Sequence, residues 1–276
     1  MKDSLPMIRI RVGGAWSRLR IDELWSYRDV LAMLALRDIK LRYKQTALGV
    51  VWVLLQPLLA GGVFSLIFGR FAGMPSGGKP YLLFVFTGLL YWNLFAGILQ
   101  RSGGSIVAES RLITKVYFPR VFVPCAAAIS AVVDFFVSLI VVVALMIYYG
   151  VWPGMWVLLF PVAVGVVLAL GVGIGLWISA LNVRYRDFSY VLPFLIQVWM
   201  YGSPVVYSLE LVPQEWALLF HLNPMVGVLE CGRAAAMGGT GVSALSIAVA
   251  LVCTFVILVS GLYFFKRVER GFADEL

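Results

Sequence analysis

Residues 121–149, VFVPCAAAISAVVDFFVSLIVVVALMIYY, decide what kind of protein this is. The run holds a single charged residue, Asp134, and exceeds the roughly 20 residues that a helix rising about 1.5 Å per residue needs to cross about 30 Å of hydrocarbon. Comparable apolar runs lie on both sides of it, at 48–69, 81–99, 156–181, 190–207 and 242–265. Together they predict an all-α integral membrane protein with six transmembrane helices.

Composition agrees. Apolar residues make up 62% of the 276-residue chain and charged ones only 13%, with a mean hydropathy of +0.94, whereas soluble domains carry roughly 25% charged residues. That length holds one transmembrane domain and leaves no room for a second, catalytic one. The net charge of +8 does not point to nucleic acid, because the basic residues are sorted by topology. Ten precede the first run, four lie in 101–120, two in 182–188 and three in 266–270, leaving only Arg70, Lys79 and Arg233 for the other side. The positive-inside rule therefore predicts a multi-pass protein of the bacterial inner (plasma) membrane with both termini cytoplasmic, its basic segments facing anionic lipid. The first 44 residues have no apolar run of signal-peptide length, so a cleaved export signal is not expected.

Three regions outside the spans are more than connectors. Residues 1–47 are expected to form a cytoplasmic segment containing a helix over 26–46, where proline and glycine are absent. Tyr27, Val30, Leu31, Leu34 and Leu41 share one face of it, interrupted by Asp38, and Arg28, Arg37, Lys40, Arg42 and Lys44 can reach headgroups. That pattern suits an amphipathic interface helix; the alternative is a solvated helix with a partly apolar face. Within the membrane domain, 48–266, two cytoplasmic loops at 101–120 and 182–188 stand out. In the first, a short helix over 105–116 alternates Glu109, Arg111 and Lys115 with Leu112, Ile113 and Val116, a mixed surface suited to docking a soluble partner. The second packs Arg184, Arg186 and Asp187 into a tight turn, which either docks a partner or merely anchors the spans in solvent. A cytoplasmic tail, 267–276, follows.

The third region, 209–240, is apolar in its middle yet contains His221, Asn223, Pro224 and Glu230. Counting it as a seventh span would put Lys266, Arg267 and Arg270 outside, against the charge rule. It reads as two short helices, 213–221 and 224–237, each opening on proline and together forming a re-entrant periplasmic gate between spans five and six. Polar backbone at that depth must face protein or a water-filled cavity. A plain external loop is the alternative.

Motifs for chemistry are sparse. Residues 73–79 read G-x-x-x-x-G-K, but Pro80 stands where a phosphate-binding loop needs Ser or Thr, and no βαβ unit surrounds it. His221 has no partner at ligand spacing, and Cys125, Cys231 and Cys253 share no close spacing, so neither a metal site nor a disulfide framework is indicated. Asp134 has two readings: a functional intramembrane carboxylate, or a structural contact to a hydroxyl such as Ser130 or Ser138. The aromatic residues Trp52, Tyr91, Trp92, Phe95, Trp199, Tyr201 and Tyr207 offer flat faces to passing sugar rings, or else form interfacial belts. Gly171, Gly173 and Gly175 predict close helix packing, within or between subunits.

The motifs RYKQTALG at 42–49 with Trp52, Gln56 and Pro57, KVYFPR at 115–120, NVRYRD at 182–187, SPVVY at 203–207 and LNPM at 222–225 occur in an order that resembles the permease subunits of type 2 ABC exporters of polysaccharides. The resemblance runs from about residue 24 to the end. It implies a homodimer that binds two copies of a separate ATPase, with ATP and Mg on that partner and no cofactor on this chain. By the same likeness Glu109, Arg111, Leu112, Ile113 and Lys115, with Arg184, Arg186 and Asp187, couple to the ATPase, and the 209–240 hairpin gates the exit. The implied substrate is a polyprenyl-linked polysaccharide, most closely an O-antigen. Capsule or teichoic acid export, or a drug or lipid permease, shares the scaffold. A polyprenyl-glycan-processing enzyme is the rival of a different class; it would need clustered carboxylates or a metal site near a membrane face, and the sequence offers neither pattern.

Overall fold

A computed structural model describes residues 25–44, 49–239 and 242–275. The expected segment 1–24, residues 45–48, Thr240, Gly241 and Leu276 lie outside the described residues. Among those described, every regular element is helical. The chain runs α1 (Arg28–Lys44), α2 (Gly49–Phe64) with a π-helical extension (Ser65–Phe71), α3 (Tyr81–Ala108), α4 (Ser110–Lys115) and α5 (Phe122–Tyr149). It continues through α6 (Leu159–Arg184), α7 (Phe188–Tyr201), α8 (Gln214–His221), α9 (Pro224–Met237), α10 (Ala244–Val268) and α11 (Phe272–Glu275).

Among the described residues five stretches are long and apolar enough to cross a membrane: Leu54–Phe71, Tyr81–Ala108, Phe122–Tyr149, Gly154–Arg184 and Ala244–Gly271. They are not equivalent. In α3, 78% of the most apolar window is buried inside the protomer, against 6% for the first stretch, so α3 is the core helix and α2 an outer one. α5 and α6 pack on α3, and α10 packs on α6. The glycine run resolves into two contacts of α6 within the protomer. Gly171 and Gly175 face Ile98 and Ser102 of α3, while Gly173 faces the backbone of α10, where an added Cβ would lie 2.8 Å from Leu258 Cα. Such small residues let backbones approach closely.

Two expected boundaries shift. The second span was expected to end at Leu99 because a charge and two glycines follow, but α3 runs on to Ala108. Arg101 does not end the helix because it donates to Ser130 Oγ at 2.9 Å and to Asp134. Gly103 seats against Ile178 and Leu192, where a Cβ would lie 2.9 Å from each side chain. The helix expected over 105–116 is therefore split at Glu109 into the end of α3 and the short α4.

Over the fifth expected span, 190–207, the helix is the 14-residue α7, about 21 Å long at 1.5 Å per residue and short of the five crossing stretches, and the chain then turns. Ser203 precedes Pro204, and the residue before proline is disfavoured in a helix. The carbonyls of Pro204 and Val205 are taken instead by Arg233 Nη2, both at 2.7 Å, with the guanidinium 3.6 Å above the Phe84 ring.

The two helices expected in 209–240 are present but unlike each other. Twelve residues of α9 are buried, so its backbone is covered by protein. α8 buries none and presents Trp216, Leu218 and Leu219 outward.

The described residues form two hydrophobic cores. The larger surrounds α3. The smaller lies at the basic end and joins Leu34 and Ala35 of α1, Ile106, Ile113, Phe118, Phe122, Leu176, Phe265 and Phe272. It makes α1, α4, the start of α5 and the C-terminal helices into one platform.

Candidate functional site

On that platform α4 shows two faces. Ile113 is 4% exposed and anchors the helix in the smaller core, Leu112 is half-buried, and Arg111, Lys115 and Val116 are exposed. The turn after α6 is fixed to the same end by Asn182, which is buried, donates Nδ2 to the Gly103 carbonyl at 3.1 Å and accepts from Ser189 Oγ at 3.0 Å. Arg184, Arg186 and Asp187 project from it, with Arg184 5.6 Å from the Tyr185 ring. The outward set is thus Arg111, Lys115, Val116, Arg184, Arg186 and Asp187.

Glu109 belongs elsewhere. Its carboxylate accepts from Arg37 of α1 through Nη1 at 3.0 Å and Nη2 at 2.6 Å, a two-point fork. Arg37 also donates to Asp38 Oδ1 from Nε at 3.2 Å and Nη2 at 2.8 Å. The bonded Glu109 carboxylate holds the Arg37 guanidinium above its ordinary range.

Asp134 is the hub of a second polar joint. It receives Arg42 Nη2 at 2.8 Å, Arg101 Nη2, and the Tyr43 hydroxyl at 2.6 Å. Both carboxylate oxygens are used, and Ser130 joins through Arg101 rather than directly. Burial and the bond to Asp134 push the Tyr43 phenol up to about 12, so it stays a donor at neutral pH. Between the two joints lies a cavity of about 290 Å³, lined by Arg37, Arg42, Arg101 and Glu109 with Ala126 and Ser130. Of the two readings of Asp134, neither names these partners, and Ser130 and Ser138 are not among the groups bonded to it. Its basic partners lie 92 and 33 positions away, out of reach of any local pattern.

The aromatic residues divide. Tyr91, Trp92 and Phe95 are buried in the main core, where Tyr91 meets Phe135 at 5.7 Å and Phe95 meets Trp199 edge-on at 5.0 Å. They pack the protomer and offer no face to a path outside it. Trp199 donates Nε1 to Asn223 Oδ1 at 3.1 Å, and the Tyr207 hydroxyl donates to the Tyr201 carbonyl at 2.9 Å. Trp52 and Tyr201 are exposed.

Sequence reasoning singled out Tyr201 but missed three residues that share its face. Tyr190, Phe194, Gln197 and Tyr201 recur on one face of α7 and all point outward, Tyr190 84% exposed and Tyr201 61%; Gln197 Nε2 donates to Tyr201 Oη at 3.3 Å. α3 runs antiparallel beside it and adds exposed Asn93 and Gln100. Gln100 opens into a groove of about 280 Å³ with Asn182, Ser189 and Pro193. An amide facing hydrocarbon without a partner costs roughly 2–7 kcal/mol, so this aromatic and amide face suits a hydrated path. Polar residues inside apolar runs were the sequence signal for it.

The 209–240 residues make fixed contacts. Asn223 caps α9 by accepting from Met225 N at 3.0 Å, and its Nδ2 donates to Gly202 O at 3.1 Å and Ser203 Oγ at 2.9 Å. Pro224 follows as the first residue of α9. His221 Nδ1 lies 2.7 Å from Ser246 Oγ, and Glu230 accepts from Ser243 N at 3.1 Å. Among the described residues no three His, Cys, Asp or Glu side chains gather as metal ligands would. Gly73, Gly77 and Gly78 take positive φ in an open turn.

Helices that could span a membrane, a platform at one end and a polar face on α7 fit a transport scaffold, and the profile of the ABC-2 type transporter family matches residues 30–237. The chain belongs to that family. Among relatives of this ABC-2 transporter, an O-antigen export system permease protein from Myxococcus xanthus is 33% identical over 211 residues, covering 76% of this chain and 80% of the relative. One of the same description from Klebsiella pneumoniae is 28% identical over 250 residues, covering 90% and 95%. A polysialic acid transport protein from Escherichia coli is 27% identical over 250 residues, covering 86% and 93%.

Proposed function

We propose that this chain is the membrane permease of an ATP-driven exporter that moves a polyprenyl-linked polysaccharide, of O-antigen type, from cytoplasm to periplasm. The observation that carries this is the likeness to O-antigen export permeases, which extends over nine-tenths of the chain.

The physical reasoning supports the same conclusion. A long hydrated glycan cannot enter hydrocarbon, and a polymer cannot be enclosed whole, so export needs a continuous lined path. Two copies of the chain, with the faces of α7 and α3 turned toward one another, would line it with stacking rings and amides. The path residues in this reading are Trp52, Tyr190, Phe194, Gln197 and Tyr201 with Asn93 and Gln100. Asn223, Glu230 and His221 hold the exit hairpin at the periplasmic side.

The engine is a separate ATPase, two copies per dimer, which carries ATP and Mg and docks on Arg111, Lys115 and the 184–187 turn. The basic platform faces the cytoplasm, both termini lie there, and α7 completes a sixth, short crossing. Deleting the gene should abolish surface glycan and leave lipid-linked polymer inside. Unchanged surface glycan contradicts the proposal. The likeness to a polysialic acid transporter favours capsule export as the second reading. The two part on whether the surface polymer is joined to lipid A.

A further inference from the structure

We infer that the Arg37–Glu109 pair is the joint through which movement of the docking helix α4 reaches the interface helix α1. This rests on the reading that α4 docks the ATPase.

Glu109 occupies the break between α3 and α4, where the backbone leaves the helical region at φ −99° and ψ 20°. Any tilt of α4 against α3 is centred on this residue. Its carboxylate is gripped by Arg37 through both terminal nitrogens, and Arg37 is held in turn by Asp38. A forked guanidinium–carboxylate pair resists rotation in a way that one hydrogen bond does not.

Five residues along α1, Arg42 and Tyr43 grip Asp134 on α5, and Arg101 ties the same carboxylate to α3. Residues 37–43 of α1 therefore form a strut with a polar joint at each end. One joint lies at the α3–α4 hinge, the other thirteen residues into α5. The 290 Å³ cavity between them leaves the two polar joints as the side-chain links on that side of α1. Leu34 and Ala35 rest in the smaller core and keep α1 seated. Glu109 is thus a positioning residue that acts through Arg37, while Arg111 and Lys115 make the outer contact.

The test uses the permease assembled with its ATPase in proteoliposomes. Glu109→Gln and Arg37→Gln should leave ATPase co-purification unchanged and ATP hydrolysis within about twofold of the parent, while glycan exported per ATP falls at least fivefold. The reversed pair R37E/E109R, made with D38N so that no like charge adjoins it, should restore that ratio to within about twofold. Unchanged export per ATP in the single variants overturns the inference. So does a loss of abundance or of ATPase binding that the reversed pair does not repair, because the pair would then be structural or part of the docking surface.

A second readout needs no cargo. Spin labels at exposed Met33 of α1 and Thr114 of α4 should keep one separation through the ATP cycle in the parent and become nucleotide-dependent in E109Q. A parent separation that already changes, or an unchanged one in E109Q, overturns the joint. Parent complex that hydrolyses ATP without moving glycan contradicts the exporter reading alone, and the label distances still decide the joint.

Discussion

Arg101 of α3 and Asp134 of α5 bond toward the basic end, so the one acid among the described residues that lies well inside a long apolar helix is neutralised within its own protomer. Removing one partner of a buried ion pair strands the other charge, whereas replacing both with apolar groups is often neutral. Here the pair is partly buried, so Asp134→Ala should lower stability by about 1–3 kcal/mol. The double change Arg101→Met/Asp134→Leu should recover only part of the loss, because Arg42 and Tyr43 lose the same carboxylate. Thermal unfolding in detergent measures both. A proton-coupled carrier would instead show pH-dependent uptake that Asp134→Asn abolishes without any ATPase.

That pair also shows what sequence can and cannot reveal. Hydropathy alone marks where α5, α6 and α10 cross, because a span needs only length and the absence of charge. It misplaces the end of α3, because an arginine followed by two glycines reads as a boundary until Asp134, 33 residues later, is seen to receive the charge. Hydropathy is equally blind to which side of a span faces protein, and so Tyr91 and Phe95 of the core cannot be told from Tyr201 of the outer face. Gln197, four residues before Tyr201 and three after Phe194, is legible as an amide inside an apolar run and marks the right helix.

The two faces of α4 separate docking from folding. Arg111→Glu with Lys115→Glu should weaken ATPase co-purification at least tenfold while permease abundance is unchanged. Ile113→Asp should lower abundance itself, since it places a carboxylate in the smaller core. Quantifying permease and ATPase in one pull-down distinguishes the cases.

Close backbone contact between α6 and α10 makes Gly173 intolerant. Gly173→Leu should destabilise by about 1–3 kcal/mol or block folding, because even a Cβ meets the Leu258 backbone. Gly165→Ala, with nothing within 4 Å, should be neutral or slightly stabilising. Melting temperatures of the purified variants give the comparison.

Asn223 joins α9, Trp199 and the turn after α7 through one amide. Asn223→Ala removes the cap and should reduce stability by about 1 kcal/mol or more, and it should raise protease cleavage within residues 202–223. Asn223→Asp keeps the cap acceptor and loses both donations, so its cleavage rate should fall between those of the parent and the Ala variant.

The most direct measurement places single cysteines at Gln197 and Tyr190 in a chain whose Cys125, Cys231 and Cys253 are replaced by alanine, and follows labelling by a small membrane-impermeant thiol reagent in the ATPase-bound complex. If the α7 face lines a hydrated glycan path, both positions are labelled during ATP turnover and protected when lipid-linked polysaccharide is present. Labelling that never occurs, or that the glycan leaves unchanged, contradicts that path.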